Sequence, residues 1–589
     1  MNERPGQQQA QSRDYPMRRW LVLLVFTGVV AVLGWRTADL QIKHKDFLRQ
    51  HGDARALRVV DIPAHRGMIT DRYGEPLAIS TAVESIWTTP RQLIGAPQLD
   101  ELAQLLGYSK PELQRLLQER RNREFVYLKR HADPELVEQV RALELPGIYT
   151  QPEYRRYYPS GEVTAHLIGF NNIDDRGQEG LELAYNDWLQ GTPGAKRVLK
   201  DRLGRTVENV ESIRSSKPGR DLVLSIDRRI QYLAYLELKS AIVRNNAHSG
   251  SIVLLDVTTG EVLALANQPS YNPNNRAGLK NEALRNRALT DLLEPGSTLK
   301  PFTIAAALES GQFVSDQVIN TAPGFIKVAD HTIRDINNYG ELNLTGILVK
   351  SSNVGISKIA LTLQPEIIWN MFDRLGLGRI TGTGFPGEAG GRLAAPAGWS
   401  DVELVTAAFG YGLSITPLQL AQAYATLAAG GIARPVSLLR KETADQAEPV
   451  SGQQVIDPAV ARQVLEMLEH ATLTGGTGTR AQVKGYRVAG KTGTVHKIAV
   501  GGYAPDRYMS MFAGVAPVSD PRLALVVVID EPQTGVYYGG QVAAPVFGKV
   551  MADALRLLNL PPDDLPTLKR HSRILAQHPD KHETTERVQ

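Results

Sequence analysis

The sequence predicts an α+β protein of two or more domains, tethered by one N-terminal membrane-crossing helix. Three observations carry that reading. The 589 residues exceed the size of a single hydrophobic core, and 42% apolar with 22% charged residues is ordinary for folded domains. One uncharged apolar run stands near the N-terminus, bounded by Trp20 and Trp35. Downstream, strand-like runs at 221–266 and 486–530 flank a mainly helical stretch at 297–430. The formal charge of +4 gives no general case for nucleic acid as a partner. The absence of cysteine excludes a thiol nucleophile, disulfides and cysteine-bound zinc. The 12 histidines show no metal-binding spacing, so no metal and no cofactor is expected.

Taken in order, the apolar run extended to Leu40, with Arg36 snorkelling, makes a helix of about 30 Å, enough to cross a bilayer. Arg4, Arg13, Arg18 and Arg19 precede it. The positive-inside rule therefore places residues 1–19 in the cytoplasm, 20–40 in the membrane and the rest beyond it. A cleaved signal peptide is the alternative, but the run is long for one and no A-x-A site follows. Residues 41–60 read as a polar stalk, and 66–78 as two short β-like runs around a turn at Gly74. Leucines 102, 105, 106, 113, 116 and 117 give 98–145 a helical spacing. The charged clusters around Arg155-Arg156, Glu179–Glu182 and 201–205 read as solvated surface or a salt-bridged interdomain joint. Lys217 and Pro218 mark a boundary. Beyond it come a strand at 221–227, an amphipathic helix at 228–243 and a hairpin formed by 249–256 and 260–266. Strands at 486–489 and 523–530 bracket a Gly-rich turn region, and 544–558 forms a last helix. From Pro561 the chain is polar and expected to be disordered. The expected units are a tail (1–19), an anchor (20–40), a non-catalytic region (41–220), a catalytic domain (221–562) and a polar tail (563–589).

Three short motifs carry the chemistry: Ser297-Thr-Leu-Lys300, Ser351-Ser-Asn353 and Lys491-Thr-Gly493-Thr494, spaced 54 (297 to 351) and then 140 residues (351 to 491) apart. Glu294-Pro295-Gly296 breaks the chain before a helical run, so Ser297 starts a helix and Lys300, three residues on, shares its face. A serine nucleophile needs a base, and lysine is one only when neutral. Burial and a nearby cation, which Lys491 could supply, both lower a lysine pKa. Ser351 and Asn353, on a turn, can relay a proton and orient an amide. Lys491-Thr492-Gly493-Thr494 follows the 486–489 strand, where Gly493 lets another backbone approach, as an extended substrate pairing with an edge strand requires. One SxxK alone is weak, since a helix-capping serine with a surface lysine looks the same. The ordered set is specific for serine acyl-transferases that act on peptides.

The same stretch also fits a P-loop, Gly485-Tyr-Arg-Val-Ala-Gly490-Lys491-Thr492, with 525–530 resembling an acidic strand end. A P-loop must open a helix after Lys-Thr, whereas Thr492-Gly-Thr-Val495 is β-branched and broken by glycine.

With these motifs the chain resembles the class B penicillin-binding proteins, in their division-specific transpeptidase branch of Gram-negative bacteria. The likeness runs from the anchor to about residue 560. It includes Arg66-Gly-Met-Ile-Thr-Asp71-Arg72, Arg156-Tyr-Tyr-Pro159, Gly180-Leu-Glu182, Asn286-Arg287 and the block from Phe409-Gly-Tyr-Gly412 to Gln419. The resemblance implies a pedestal domain followed by a penicillin-binding, serine β-lactamase-like fold, a five-stranded antiparallel sheet between helical layers. It implies Ser297 as acylated nucleophile, Lys300 as general base, and Ser351 and Asn353 as relay and positioning groups. Lys491 then orients the site, Thr492 and Thr494 bind the substrate carboxylate, and the backbone N–H groups of Ser297 and Thr494 form the oxyanion hole. Tyr503, Tyr537, Tyr538, Gly539 and Gly540 become candidates to line the donor pocket, with core packing as their alternative.

The implied reaction cross-links peptidoglycan stem peptides with release of terminal D-Ala, and β-lactams would acylate the same serine. The implied location is the inner membrane, with the catalytic domain in the periplasm. Class A β-lactamases place a deacylating Glu in an ExxLN loop; Glu366-Ile-Ile-Trp-Asn370 is the near match, read here as a helix packing through Trp369. No glycosyltransferase motif occurs in 41–220, so a separate glycan polymerase of the shape, elongation, division and sporulation type is expected as partner, with other division-complex membrane proteins. Two rival readings remain: an elongation-type transpeptidase, and a β-lactam receptor or septal scaffold.

Overall fold

The computed structural model describes residues 16–47, 57–200, 206–441, 450–499 and 501–565. The tail expected in the cytoplasm, as far as residue 15, most of the expected stalk, the 201–205 cluster and the polar tail from 566 lie outside the described residues.

Pro16–Ala38 forms an α-helix continued by a wider turn at Asp39–Lys43, and this segment is the one helix among the described residues long and apolar enough to cross a membrane. None of its span is buried against the protein.

The catalytic region is organised by a five-stranded, wholly antiparallel sheet in the order Val262–Gln268, Ser249–Asp256, Leu523–Asp530, Gly502–Ala516, Ala489–Ala499. Side chains alternate across a strand, so a sheet covered on both faces needs apolar residues at every position. Leu523–Asp530 shows this. Leu525, Val527 and Ile529 join one core, with the helices Arg228–Arg244 and Ala544–Leu557. Ala524, Val526 and Val528 join the opposite core, with the helices Lys300–Glu309 and Pro417–Ala428. The layering is therefore helices, sheet, helices.

The segment expected as a Gly-rich turn region holds a 15-residue strand, Gly502–Ala516. Its first half, Gly-Tyr-Ala-Pro-Asp-Arg, lacks strand character and is mostly exposed, which conceals the apolar second half. Residues 486–489 are likewise not a separate strand. The strand begins at Ala489 and contains the third motif. The 221–227 strand shortens to Leu222–Val223, because Asp227 leaves the ladder to cap the following helix through Arg229 N.

In the pedestal, Pro76–Thr88 pairs with Ile69–Thr70, Val126–Ala132 and Ile148–Tyr157. The helical reading of 98–145 holds for Leu99–Leu106, Lys110–Glu119 and Pro134–Ala142, which share a separate small core. It misses the strand Val126–Ala132 between them, whose Lys-Arg-His run reads as surface helix. The cluster of Arg66, Arg156 and Glu182 is salt-bridged but is neither solvated surface nor an interdomain joint, because all three residues belong to the pedestal and bind one another in its interior. Glu182 is fully buried and accepts from Arg66 Nε and Arg156 Nε, both at 2.7 Å. Arg66 also donates to the carbonyls of Glu182 and Asp175. Arg72 reaches from the pedestal to the buried Glu261 at 3.2 Å, and Asp71 accepts from Arg228 N at the start of the catalytic region's first helix.

Candidate active site

The turn that carries the candidate nucleophile Ser297 is a tight 3-10 turn, Gly296–Leu299, that feeds the helix Lys300–Glu309, with Pro301 in its first turn. Proline is tolerated there because no N–H is needed. Three contacts hold the turn: Gly296 N donates to Gly410 O at 2.9 Å, Thr298 Oγ1 to Pro295 O at 2.6 Å, and the buried Tyr424 hydroxyl to Thr298 O at 2.8 Å. The Phe409–Gly412 block and the helix Pro417–Ala428 thus fix where Ser297 stands, half-buried at the edge of a cavity.

The second motif joins two helices. Ser351 ends Leu344–Lys350 in the left-handed conformation (φ 58°), and Ser352 opens Asn353–Thr362 by accepting from Gly355 N at 2.8 Å. A non-glycine residue held there stores on the order of 1 kcal/mol of strain. The sharp junction turns the Ser351 carbonyl and the Asn353 side chain toward Lys300. Lys300 Nζ donates to Ser351 O at 2.6 Å and to Asn353 Oδ1 at 2.8 Å, with Ser351 Oγ at 3.4 Å. From the other side, Lys491 Nζ donates to Ser351 Oγ at 2.9 Å and Thr492 O at 3.3 Å.

Both lysines are fully buried. Burial, reinforced by the Lys491 ammonium, holds Lys300 well below the usual lysine range, with Asp335 acting the opposite way. Burial brings Lys491 down to about 7. A neutral amine has two N–H bonds and one lone pair. The carbonyl of Ser351 and the amide oxygen of Asn353 take up two donors, which leaves the lone pair of Lys300 for a proton.

Lys491, Thr492, Gly493 and Thr494 lie within Ala489–Ala499, an edge strand of the sheet, and not after a strand as the sequence suggests. The chain continues extended after Thr492, so the helix a P-loop requires is absent at this position. Gly493 serves the nucleophile turn: a Cβ there would stand 2.9 Å from Thr298 Cγ2 and 3.2 Å from Pro295 O. Gly539 is the counterpart on the outer side, where a Cβ would meet Gly493 O and Met511 O at 2.3 Å. Thr494 Oγ1 accepts from Gly539 N at 2.9 Å, and Thr492 Oγ1 lies 2.8 Å from Thr477 Oγ1.

These elements enclose a cavity of about 620 Å³. Ser297, Ser351, Asn353, Thr492, Thr494, Tyr537, Tyr538, Gly539 and Gly540 line it, while Lys300, Lys491 and Gly493 stand behind that lining. Tyr508 and Tyr537 stack at 3.9 Å along one wall. Tyr503 is not among the lining residues. Its hydroxyl donates to Glu294 Oε1 at 3.0 Å, and its ring meets Tyr411 at 5.6 Å. Glu366 and Asn370 are also outside the lining, on a helix that packs through Ile368, Met371 and Phe372, with Trp369 only half-buried.

Sequence reasoning missed Asp335, Thr477 and Glu294. Asp335 accepts from Ser352 Oγ, Asn353 N and Val354 N. Glu294 accepts from Gly412 N at 2.8 Å, one residue pair before the nucleophile turn. Burial raises the Glu294 pKa. None of the three sits in a motif; the Gly-rich run from Leu473 to Thr479 was the one available signal, for Thr477.

The family described as penicillin binding protein transpeptidase domain matches residues 250–552, and the penicillin-binding protein dimerisation domain matches 61–224. The chain is 44% identical to the peptidoglycan D,D-transpeptidase FtsI of Escherichia coli K12, over 98% of this chain and 97% of that one. It is similar to the apo transpeptidase domain of Burkholderia pseudomallei penicillin-binding protein 3, with 41% identity and a TM-score of 0.54, covering 58% of this chain and 98% of that domain. It is also similar to Mycobacterium tuberculosis penicillin-binding protein 3 complexed with aztreonam, with 27% identity and a TM-score of 0.66, covering 86% and 98%.

Proposed function

Because this chain belongs to the class B penicillin-binding proteins, with their dimerisation and transpeptidase domains, we propose that it is a septal peptidoglycan D,D-transpeptidase working through a Ser297 acyl-enzyme. The observation that carries the catalytic assignment is the buried pair of lysines around Ser351, with Lys300, directly after the Ser297 turn, held by burial well below the usual lysine range.

Ser297 Oγ attacks the carbonyl between the two terminal D-Ala residues of a donor stem, and its proton passes to the free lone pair of Lys300. The backbone N–H groups of Ser297 and Thr494 receive the oxyanion, an effect worth about 3 kcal/mol per donor. As the amide C–N bond breaks, Ser351 Oγ hands its proton to the departing D-Ala amine and takes in its place the one held by Lys300 Nζ, 3.4 Å away, while Lys491 stabilises the charge that passes through that hydroxyl. Thr492 and Thr494 hold the terminal carboxylate, Tyr537, Tyr538 and Gly539 border the donor, and Gly493 keeps the nucleophile turn against the strand. An amine from a second stem then attacks the ester. Its proton returns by the same relay, and Ser297 is released with the cross-link formed. Tyr503 acts at a distance from the donor, through Glu294.

The 41–220 region serves as pedestal and 221–562 as the catalytic domain. The N-terminal helix fits a membrane anchor. We place the tail before it in the cytoplasm and the catalytic domain in the periplasm, where a separate glycan polymerase and other division proteins supply strands and activation.

The test is fluorescent-penicillin labelling of the detergent-solubilised protein beside Ser297→Ala. Labelling of the wild type that vanishes in the variant is expected; equal labelling of both, or of neither, would sink the assignment. Cross-linking turnover on a peptide donor then separates an enzyme from a receptor.

A further inference from the structure

We infer that Asp335 is a positioning residue of the acylation step: its carboxylate clamps the turn at Ser352–Val354 and so aims Asn353 Oδ1 and the Ser351 carbonyl at Lys300. The inference rests on the serine acyl-enzyme reading above.

Asp335 comes from a different part of the chain, directly after the small hairpin formed by Phe325–Val328 and His331–Arg334. One carboxylate oxygen accepts from Asn353 N at 2.5 Å and Val354 N at 3.0 Å, and the other accepts from Ser352 Oγ at 2.5 Å. Next to it, Arg334 O accepts from Asn353 Nδ2 at 3.1 Å. The Asn353 amide is therefore held at both ends, by the hairpin through its nitrogen and by Lys300 through its oxygen. This bond to the hairpin fixes which way the amide points, since a flipped amide would set two donors against each other at Lys300.

A helix cap alone does not require this arrangement. Ser352 already caps the helix through Gly355 N, so Asp335 is a second clamp on the same turn. It also faces the active-site cavity, where it is the one carboxylate among the described lining residues. The charged groups around Lys300 are then Lys491 from the edge strand and Asp335 from the hairpin side. They pull in opposite directions: Lys491 disfavours the ammonium form of Lys300, and Asp335 favours it.

This opposition gives Asp335 a signature that a purely structural residue lacks. Asp335→Asn keeps shape and one acceptor while removing the charge. Lys300 then loses its proton at lower pH, so the acid limb of the acylation rate moves down in pH. Asp335→Ala removes the clamp as well and slows acylation at every pH.

The experiment measures the second-order rate of fluorescent-penicillin acylation from pH 5 to 9 on the full-length protein in detergent, together with thermal unfolding. Expected results are an acid limb at least half a pH unit lower for Asp335→Asn, and a plateau at least tenfold lower for Asp335→Ala. An unchanged limb in Asp335→Asn with a plateau within twofold of wild type in Asp335→Ala would overturn the inference. If either variant fails to unfold cooperatively, Ser352→Ala decides. It removes one arm of the clamp and keeps the charge, so a lower plateau at an unmoved acid limb supports the inference, and a wild-type profile overturns it. A wild type that does not label at all would defeat the acyl-enzyme reading itself, a separate outcome.

Discussion

Lys300 and Lys491 approach one hydroxyl, Ser351 Oγ, from two sides at 3.4 and 2.9 Å, and neither is exposed. In the proposed reaction this arrangement serves proton transfer, and it comes at the expense of stability. For Lys491, lowered by burial to about 7 from an ordinary 10.5, the shift corresponds to about 4 kcal/mol against folding at pH 7, where the folded-state amine is half neutral. The unfolded chain binds the extra proton between pH 7 and 10.5, so stability rises with pH across that window and levels off below it. Lys491→Met removes this penalty and loses two hydrogen bonds of about 1 kcal/mol each. We expect the variant to be more stable by about 2 kcal/mol at pH 7, to lose most of the rise in melting temperature between pH 7 and 9, and to fall at least a hundredfold in penicillin acylation. Paired thermal melts and labelling rates check all three.

At the scale of elements, the third-motif strand is anchored from an unexpected direction. The segment after the last helix folds back on the residues just before Ala489: Tyr486 OH donates to Leu560 O, Arg487 N and Ser519 N donate to the Asp563 carboxylate, and Asp564 N donates to Gly485 O. Ser519 Oγ completes the Asp563 set. Asp563→Ala strips three donors of their acceptor, and we expect a loss of about 2–3 kcal/mol, read by chemical denaturation, with acylation falling less than tenfold because the motif itself is untouched. The sequence did not reveal this strap, since Pro561-Pro-Asp-Asp564 looks like the start of an unstructured tail. What was legible follows a physical rule. The Ser297, Ser351 and Lys491 motifs could be read because each packs its chemistry into four residues or fewer. The flanking strand Leu523–Asp530 could be read because burial on both faces demands an unbroken apolar run. Asp335, Thr477 and Glu294 could not, because their roles come from tertiary contacts with partners 16 or more residues away, or, for Thr477, across to the edge strand at Thr492. Gly493 was legible as a close-approach glycine, but the approaching group is the protein's own nucleophile turn.

For the whole molecule, the main core runs without interruption from pedestal residues such as Ile69, Leu77 and Leu181 into the catalytic domain, and Arg72 and Asp71 bind Glu261 and Arg228 N across that joint. The core of Leu99, Leu102, Leu113 and Val137 is separate. The outer pedestal lobe should therefore open on its own. Leu102→Ala, at a fully buried site, is expected to weaken that lobe by about 3 kcal/mol, with faster hydrogen exchange at 99–142 and unchanged penicillin labelling. The cavity carries a consequence on the scale of time. Asp335, the one carboxylate among its described lining residues, already accepts three hydrogen bonds, so no carboxylate among those residues is left over to strip a proton from water. The neutral amine of a second stem is a stronger nucleophile that can attack first and give up its surplus proton to the relay afterwards, whereas water must lose a proton as it attacks. The covalent intermediate thus works as a timer that only an amine resets promptly, and a drug that acylates Ser297 without presenting a resolvable bond leaves the timer stopped.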